Sequence, residues 1–350
     1  MPSLLKSKRI YNILLIGIAV ISISSTMFCY SFLNTANKGS YPSLWKNRPV
    51  VHKRSLATVM QFERLLVNPE EVKKALTSSP QSLQLVDASW HLGGKRDAVA
   101  EFKAGRLPSA VFFDIDGVSD KNVDLPHMLP SEDLFAESVA NLGISNDQTL
   151  VVYTTENCFS AARGWWTFKC FGHEKVHILN GGLPAWVSAG YEVESGDPEP
   201  KPKGSYKAKL NPSLVKDWKQ VLEVVENKET ETAQIVDARG AGRFLGTEPE
   251  PRAGLEGGHM PGAKNVPFAK LVAEGDLTTF KSEEEIKQIF LEAGVDLSAD
   301  SPIITTCGSG VTASLLSFAM CLCGKEPASV PVYDGSWSEW GGNPELPKEK

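Results

Sequence analysis

Metal-ligand patterns and dense cysteine are both missing from this sequence. Its 350 residues include six cysteines and six histidines, no two cysteines form a Cys-x-x-Cys pair, and the histidines are scattered. Six cysteines are too few for a disulfide framework in a chain of this length, and sparse cysteines are typical of a reducing compartment. The sequence therefore predicts neither a metal site nor a bound cofactor.

Clustered basic residues are missing from the body of the chain. The formal net charge is −6, whereas nucleic-acid binding requires Lys and Arg concentrated on one face. With 42% hydrophobic and 22% charged residues, the composition is that of an ordinary globular protein of about two domains. These features exclude nucleic acid as a partner and favour a chain that buries a substantial core.

Acidic residues are missing from the first 62 positions, since Glu63 is the first acid of the chain. The same stretch is basic and contains an apolar run, residues 13–33, about as long as the roughly 20 residues that a membrane-spanning helix needs. Four Ser and one Thr within the run weaken the case for a spanning helix. We therefore treat residues 1–57 as a separate segment.

Three targeting functions fit residues 1–57. The segment could be a signal anchor that contacts a membrane through residues 13–33, a cleaved secretory peptide, or a mitochondrial presequence. Its basic, acid-free composition continues beyond the apolar run, where a secretory peptide would already have ended, and this favours a mitochondrial location. If translation instead started near Met60, the protein would be cytoplasmic.

The rest of the chain contains an internal repeat. Residues 83–90 (LQLVDASW) match residues 233–240 (AQIVDARG), 105–115 match 258–268, 149–155 match 301–307, and 176–186 match 330–340. The order is preserved and the offset drifts only from 150 to 154 residues, which is typical of a duplicated domain rather than of a short repeat. We expect two domains at 58–194 and 214–350, joined by a Pro-, Gly- and charge-rich linker at 195–213.

Short apolar runs alternate with helical patterns in both copies. The runs are bounded by Gly, Pro or Asp, as buried strands are, and the helical patterns include NPEEVKKAL, SEDLFAESVANLG and SEEEIKQIFLEAG. Ser131 and Ser282 precede acidic residues and are expected to cap the helices that follow them. The alternation predicts an α/β fold in which each domain is a parallel sheet flanked by helices.

One cysteine stands among unusually small residues. The strand pattern PIITT ends at Cys307, and Gly308, Ser309 and Gly310 separate it from the buried helix pattern VTASLLSFAMCLC. Ligand sites of open α/β sheets lie at the carboxyl ends of strands, and glycines let successive backbone N–H groups turn inward. With the positive end of the following helix, such a loop favours a thiolate at Cys307. The other cysteines of the body are expected to be structural.

The motifs CGSGVT, GTEPEPR, FFDID, NGGLPAW and YDGSWSEW together resemble the 3-mercaptopyruvate sulfurtransferases, members of the rhodanese superfamily with two rhodanese-like domains. The resemblance extends over about residues 60–345. It implies an enzyme that moves sulfur from 3-mercaptopyruvate to a cysteine, giving a persulfide and pyruvate. The sulfur then passes to thioredoxin, a low-molecular-weight thiol or cyanide.

The resemblance also assigns residues to roles. Cys307 matches the sulfur acceptor, Ser309 is a second catalytic group, and the residues of the surrounding loop are Gly308, Gly310, Val311 and Thr312. Arg243 and Arg252 match the arginines that bind the substrate's carboxylate and ketone, which suits a guanidinium because it offers two parallel donors and stays charged.

Two departures from the family pattern affect the first domain. We call residues 307–311 the cysteine loop. Its counterpart in the first domain, TTENCFSAARGWW, contains Cys158 without a glycine loop, so we expect the first domain to be non-catalytic. The family commonly has a histidine where this chain has Arg106, and this imidazole has been linked to a relay through Ser309. We therefore expect the chain to lack that imidazole.

Residues of the cysteine loop bear on three alternative functions. A thiosulfate sulfurtransferase carries cations directly after its cysteine, where this chain has Gly308 and Ser309. A rhodanese-fold phosphatase needs an arginine that closes the loop, and position 313 is Ala. A non-catalytic, membrane-tethered rhodanese module usually loses the cysteine, whereas Cys307 is present with its full loop.

Overall fold

The computed structural model of the protein describes residues 62–227 and 233–350. The targeting predictions for residues 1–57 and the possible membrane contact at 13–33 lie outside the described residues. Among the helices of the described ranges, none has the length and apolar character required to cross a bilayer.

The described part of the first half contains one sheet whose strands alternate with helices. Its elements are β1 (Leu66–Val67), α1 (Pro69–Ser78), β2 (Leu83–Asp87), α2 (Ala98–Ala104), β3 (Val111–Phe112), α3 (Glu132–Asn141), β4 (Thr149–Tyr153), α4 (Ala161–Cys170), β5 (Val176–Leu179) and α5 (Gly182–Ser188). The strands pair in parallel in the order β1-β5-β4-β2-β3.

The second half repeats this arrangement. Its elements are β6 (Val215–Lys216), α6 (Trp218–Glu226), β7 (Gln234–Asp237), α7 (Ala241–Phe244), β8 (Lys264–Asn265), β9 (Val272–Ala273), β10 (Asp276–Phe280), α8 (Glu283–Glu292), β11 (Ile303–Thr306), α9 (Val311–Leu322), β12 (Val332–Tyr333) and α10 (Ser336–Trp340). The parallel order β6-β12-β11-β7-β8 corresponds strand for strand to the first sheet, and β9 and β10 form an added antiparallel pair.

Both faces of each sheet are buried, as the apolar composition of the strands predicts. In β2, Val86 packs into one hydrophobic cluster and its neighbour Leu85 into another. In β11, Ile303 and Ile304 divide between two clusters in the same way. Because successive side chains of a strand point to opposite faces, one strand contributes to two cores. The predicted α/β fold is confirmed.

The two halves share one of these cores. The cluster on the inner faces of the sheets includes side chains from both, and Trp165 of α4 contacts Phe318 of α9 edge to face, with ring centroids 5.0 Å apart. Helix α4 therefore packs against α9. This packing brings residues of the first half to the amino end of α9, where the cysteine loop lies.

The predicted helix starts are confirmed. The hydroxyl of Ser131 accepts the N–H of Leu134, and the hydroxyl of Ser282 accepts the N–H of Glu285. Each hydroxyl satisfies a donor that has no partner within its own helix.

The predicted linker, 195–213, packs against the first half. The N–H of Gly204 donates to the carbonyl of Ala140 at 2.8 Å, and the ring of Tyr206 packs edge to face on Phe135.

Candidate active site

The cysteine loop leaves the sheet beside a second loop from the neighbouring strand. Strands β11 and β7 pair in register, with Thr306 opposite Asp237, so Cys307 and Ala238 emerge side by side at the carboxyl edge. The chain after Ala238 leads through α7 to the predicted arginines. Adjacent parallel strands therefore explain why segments about 60 residues apart meet at one site.

The backbone of the cysteine loop turns its carbonyls away from the site. The carbonyl of Cys307 accepts the N–H of Trp337 at 3.0 Å, and that of Gly308 accepts the N–H of Ser338 at 2.8 Å. The Cys307 N–H donates to the hydroxyl of Ser336 at 3.2 Å. Helix α10 thus anchors the loop from outside, and Cys307 is only 2% exposed.

The N–H groups of the next three residues remain available. Within the described chain, no acceptor binds the backbone N–H of Gly308, Ser309 or Gly310. Gly310 has φ +81°, a left-handed conformation that glycine adopts readily, and helix α9 begins immediately after it. Unpaired N–H groups at a helix start form a positive environment suited to anionic sulfur.

Both predicted arginines lie over Gly308. A β-carbon placed on Gly308 would be 3.0 Å from Nη2 of Arg243 and 3.8 Å from Nη1 of Arg252. Arg252 also donates from Nη2 to the hydroxyl of Ser309 at 3.3 Å. Burial lowers the pKa of Arg252, and the attraction of Cys307 opposes this shift. The structure therefore brings Cys307, Ser309, Arg243 and Arg252 together.

Glu250, which sequence reasoning did not single out, fixes one of the arginines. Its buried carboxylate binds Arg243 at 2.5 Å and Arg239 at 2.8 Å. Arg239 also pairs with Asp237 at 2.6 Å and lies over the ring of Trp337. Because these four charges compensate one another, Arg252 is left as the cation without a carboxylate partner in the described part of the site.

Gly310 packs against an ion pair between the two halves. Arg163 of α4 binds Asp334 at 2.6 Å, and both side chains are almost fully buried. A β-carbon on Gly310 would lie 2.6 Å from Nη1 of Arg163 and 2.9 Å from Oδ1 of Asp334. The carboxylate of Asp334 also accepts the N–H of Leu129. This ion pair joins the cysteine loop to the first half.

A cavity of about 160 Å³ opens above Cys307. Its walls come from both halves and consist of Trp90, Leu92, Phe159, Ala238, Arg239, Gly240, Arg243, Pro251, Arg252, Phe268, Cys307, Gly308, Ser309, Val311 and Thr312. The volume corresponds to about five water molecules at roughly 30 Å³ each, so the cavity suits a small ligand. Larger cavities of about 440 to 470 Å³ elsewhere in the described residues do not combine a cysteine with two arginines.

The first half places an imidazole close to this cavity, since the ring of His127 packs edge to face on Trp90, a cavity residue, with centroids 4.7 Å apart. His127 hydrogen-bonds Asp116 through Nδ1, and the indole of Trp90 donates to the same carboxylate at 2.8 Å. Arg163, which touches Gly310, also donates to the backbone carbonyl of His127. Burial raises the pKa of Asp116. The hydrogen bond with His127 and the other interactions lower that pKa by more than burial raises it, so the net shift is downward.

Arg106 lies elsewhere. Its guanidinium donates to the carbonyl of Gly196 at 2.7 Å, faces Glu194 and lies over the ring of Phe102, all in the first half or the linker. It does not line the cavity at Cys307. The comparison of position 106 with the family histidine therefore identified no side chain at this site. For the pair of Asp116 and His127, the available signal in the sequence was the segment FFDID, which contains Asp116.

Cys158 occupies the equivalent loop of the first half, between β4 and α4, but in different surroundings. Its residue before the helix is Ser160, with φ −88°, where the second half has Gly310. The sulfur of Cys158 contacts the hydroxyl of Ser160 at 3.1 Å and the N–H of Trp90 at 3.4 Å. Side chains therefore fill the space that the glycines leave open around Cys307.

Comparison with known proteins also indicates two similar domains and a sulfur-transfer site. A family model described as "Rhodanese-like domain" matches residues 68–189 and 220–343, one match in each half. Human 3-mercaptopyruvate sulfurtransferase is 44% identical over 285 residues, covering 80% of this chain and 93% of the human protein. Thiosulfate sulfurtransferase of Rattus norvegicus is 45% identical over 282 residues, covering 79% and 92%.

Two further comparisons extend these similarities. Arabidopsis thaliana "Thiosulfate/3-mercaptopyruvate sulfurtransferase 1, mitochondrial" is 42% identical over 288 residues, covering 76% of this chain and 74% of the plant protein. The crystal structure of SseA from Escherichia coli, described among the 3-mercaptopyruvate sulfotransferases, superposes with a TM-score of 0.69 and 38% identity, covering 78% and 98%. The duplicated sheets, the cysteine loop and these relatives agree that the chain belongs to the rhodanese family, as a sulfurtransferase with two tandem rhodanese-like domains.

Proposed function

We propose that this enzyme takes sulfur from 3-mercaptopyruvate through Cys307. The thiolate of Cys307 attacks the donor sulfur, an S–S bond forms, and the carbon–sulfur bond breaks. Its electron pair leaves on the enolate of pyruvate, which takes up a proton at carbon. Cys307 then carries a persulfide, and an acceptor thiolate removes the outer sulfur and restores the thiolate.

The charge distribution around Gly308 is the observation that carries this proposal. Arg243 and Arg252 both lie over the loop, but Glu250 already neutralises Arg243. One uncompensated guanidinium, that of Arg252, then matches one carboxylate of 3-mercaptopyruvate. Arg243 still presents N–H donors to a ketone oxygen, where enolate charge develops as the bond breaks.

Ser309 has a defined part in this scheme. Its hydroxyl oxygen accepts a hydrogen bond from Arg252, so its own proton is free to bind the substrate. Ser309 is 6% exposed, and its hydroxyl lies in the loop whose N–H groups surround Cys307. We assign it the role of a donor that orients the keto acid relative to the sulfur.

Thiosulfate is the second candidate donor, because the relative from Rattus norvegicus that is 45% identical is named a thiosulfate sulfurtransferase. Thiosulfate carries two negative charges, and sulfite leaves with charge close to the loop. Gly308 and Ser309 offer N–H groups and one hydroxyl there, with no additional cation. The charge balance of the site therefore favours the mono-carboxylate donor.

The acceptor is proposed to be thioredoxin or a low-molecular-weight thiol. Leu92 lines the cavity and is 47% exposed, so one wall is accessible from solvent. A small thiol can enter by this side, and an exposed apolar side chain is suited to contact with a protein acceptor.

The proposed location is the mitochondrion, which rests on the acid-free basic stretch before Glu63 and on a mitochondrial relative from Arabidopsis thaliana. A fluorescent protein fused to residues 1–62 should enter mitochondria. Delivery to the endoplasmic reticulum or the cell surface would contradict this location and favour a signal anchor.

Kinetics with two donors test the proposed function. Arg252→Ala should raise the KM for 3-mercaptopyruvate by roughly tenfold to a hundredfold, because a hydrogen-bonded ion pair with the carboxylate is lost. The KM for thiosulfate should change much less. Arg64→Ala, which removes an exposed arginine paired with Glu71, is the matched control. Equal changes for both donors would mean that Arg252 does not select the keto acid.

A further inference from the structure

The short helix that carries Arg243 is held from behind by a neighbouring segment. Helix α7 has only four residues, and a helix of this length is not stable without tertiary contacts. The N–H of Gly258 donates to the carbonyl of Arg243 at 3.4 Å. The imidazole of His259 hydrogen-bonds the carbonyl of Phe244 at 2.9 Å, and its ring stacks on the Phe244 ring with centroids 3.9 Å apart. The position of the Arg243 backbone therefore depends on residues 258 and 259.

The hydrogen bond to Phe244 fixes the imidazole of His259. Because a carbonyl oxygen only accepts hydrogen bonds, Nδ1 of His259 carries the proton and donates it. The two rings are nearly parallel, with 11° between their planes. One side chain thus contacts the residue after Arg243 in two ways, through a donor and through an apolar face. An asparagine at position 259 would retain a donor at the same number of bonds from the backbone but would lose the ring.

A second segment holds His259 from the opposite side. Its N–H donates to the carbonyl of Glu349 at 2.8 Å, and the N–H of Glu349 donates to the carbonyl of His259 at 2.9 Å. The segment passes so close to Gly258, which has φ +128°, that a β-carbon there would lie 2.4 Å from the carbonyl oxygen of Glu349. His259 is therefore fixed between this backbone pair and α7.

The first half contains the same backbone bridge at the equivalent position. Arg106 corresponds to His259 in the internal repeat, and its backbone exchanges two hydrogen bonds of 2.9 Å with Glu194. The guanidinium of Arg106 lies over the ring of Phe102 in α2, which parallels the stacking at His259. Helix α2 is described throughout its length, and none of its residues lines the cavity at Cys307. The bridge is common to both halves, whereas its connection to the active site is specific to the second.

We propose that His259 is a positioning residue for sulfur transfer and acts through Arg243. This inference rests on the proposed function, in which Arg243 meets the ketone oxygen of 3-mercaptopyruvate. Glu250 orients the guanidinium, but the position of α7 determines how far the side chain reaches over Gly308. When α7 loosens, the guanidinium no longer meets the enolate charge that develops as the carbon–sulfur bond breaks, so the chemical step slows. Substrate binding changes less, because Arg252 still holds the carboxylate.

Kinetics of pyruvate release by full-length variants test this proposal. His259→Ala removes the ring and the donor together, and it should lower kcat for 3-mercaptopyruvate by about tenfold or more while KM changes by less than about threefold. His259→Asn keeps a donor for the carbonyl of Phe244 and should recover most of the lost kcat. Arg106→Ala removes the equivalent side chain of the first half and is the matched control, in which both constants should be unchanged.

A second measurement separates positioning of Arg243 from general damage to the cysteine loop. Iodoacetamide is a neutral reagent, and its reaction with Cys307 depends on the thiolate and its access rather than on Arg243. The rate of alkylation, measured on the Cys307 peptide by mass spectrometry, should therefore stay within about twofold of the wild type in His259→Ala. Circular dichroism and the melting temperature verify that each variant is folded.

Several outcomes would overturn the positioning role of His259. These are an unchanged kcat in folded His259→Ala, a kcat that His259→Asn does not restore, an equal loss in Arg106→Ala, and alkylation of Cys307 that slows in step with kcat. A wild-type enzyme that releases no pyruvate from 3-mercaptopyruvate would instead contradict the proposed function, and this inference with it.

Discussion

The two halves of this protein have the same sheet order but differ in the loop that follows the central strand. After β11, glycines leave the N–H groups of the loop open around Cys307, whereas after β4 the hydroxyl of Ser160 and the backbone of Trp90 contact Cys158. The strands, which determine packing, are alike in both halves. The difference shows that a duplicated sheet can persist while only one copy maintains a backbone site for anionic sulfur.

A buried aspartate at the end of a strand shows the same divergence. Asp237 of β7 pairs with Arg239, but the equivalent Asp87 of β2 is followed by Ser89, which binds it through its N–H. Within the described chain Asp87 has no cation at ion-pair distance, and burial raises its pKa to about 6. The arginine that completes the charge network beside the active site is thus absent from the first half.

The largest expected effect is the loss of the proposed nucleophile. Cys307→Ser should reduce sulfur transfer to background, since loss of a nucleophile removes roughly a millionfold in comparable enzymes. Cys158→Ser should leave the rate nearly intact, because that sulfur lacks the open N–H groups. Steady-state release of pyruvate from 3-mercaptopyruvate measures both. A large loss of pyruvate release in Cys158→Ser would mean that the first half, and not the second, supplies the catalytic cysteine.

The next effect is a loss of stability and concerns Gly310, the glycine that distinguishes the cysteine loop from its counterpart in the first half. Gly310→Ala should lower the free energy of unfolding by about 3 to 5 kcal/mol, because the added methyl group meets the buried pair of Arg163 and Asp334 and separates it. Gly254→Ala is the control, since Gly254 also has φ +81° but has no atom near the added carbon. It should lose only about 1 kcal/mol from backbone strain. Equal losses in chemical denaturation would mean that the ion pair is unaffected.

The smallest expected effect concerns Asp87 and depends on pH. Its raised pKa means that folding favours the protonated form, so its contribution to stability is complete below pH 3.8 and is lost as the pH rises through about 6. Asp87→Asn imitates the protonated form. The variant should gain up to about 3 kcal/mol over the wild type at pH 7.5 and almost nothing near pH 4, at 1.36 kcal/mol per pKa unit.

The second half supplies the opposite outcome for the same substitution. Asp237→Asn should destabilise the protein at pH 7.5, because it leaves the buried Arg239 with one carboxylate fewer. Urea denaturation at the two pH values measures both variants. A stability difference between Asp87→Asn and wild type that stays constant with pH would contradict the raised pKa of Asp87.

Much of the fold could be predicted because it depends on local patterns. The repeat, the short buried strands and the caps at Ser131 and Ser282 all follow from neighbouring residues. The position of the cysteine loop followed as well, since glycines after a buried strand indicate a turn into a helix. Arg243 and Arg252 required the family resemblance, because two arginines nine residues apart do not by themselves indicate a binding site.

The residues that were missed depend on contacts between distant segments. Glu250 meets Arg239 only because the chain returns to the end of β7 after α7. His127 lies close to the second half because α4 packs on α9, and Arg163 of α4 binds both the backbone carbonyl of His127 and the carboxylate of Asp334. Sequence spacing carries no information about such packing, which is why neither Glu250 nor His127 was singled out.

In the proposed reaction, Cys307 and not Cys158 carries the transferred sulfur. High-resolution mass spectrometry of peptides from the wild-type protein, after brief treatment with 3-mercaptopyruvate and no acceptor, tests it most directly. The resolution must separate one added sulfur from two added oxygens. We expect one added sulfur on the peptide that contains Cys307, and that sulfur should disappear when an acceptor thiol is added. Added sulfur found mainly on the Cys158 peptide would contradict it.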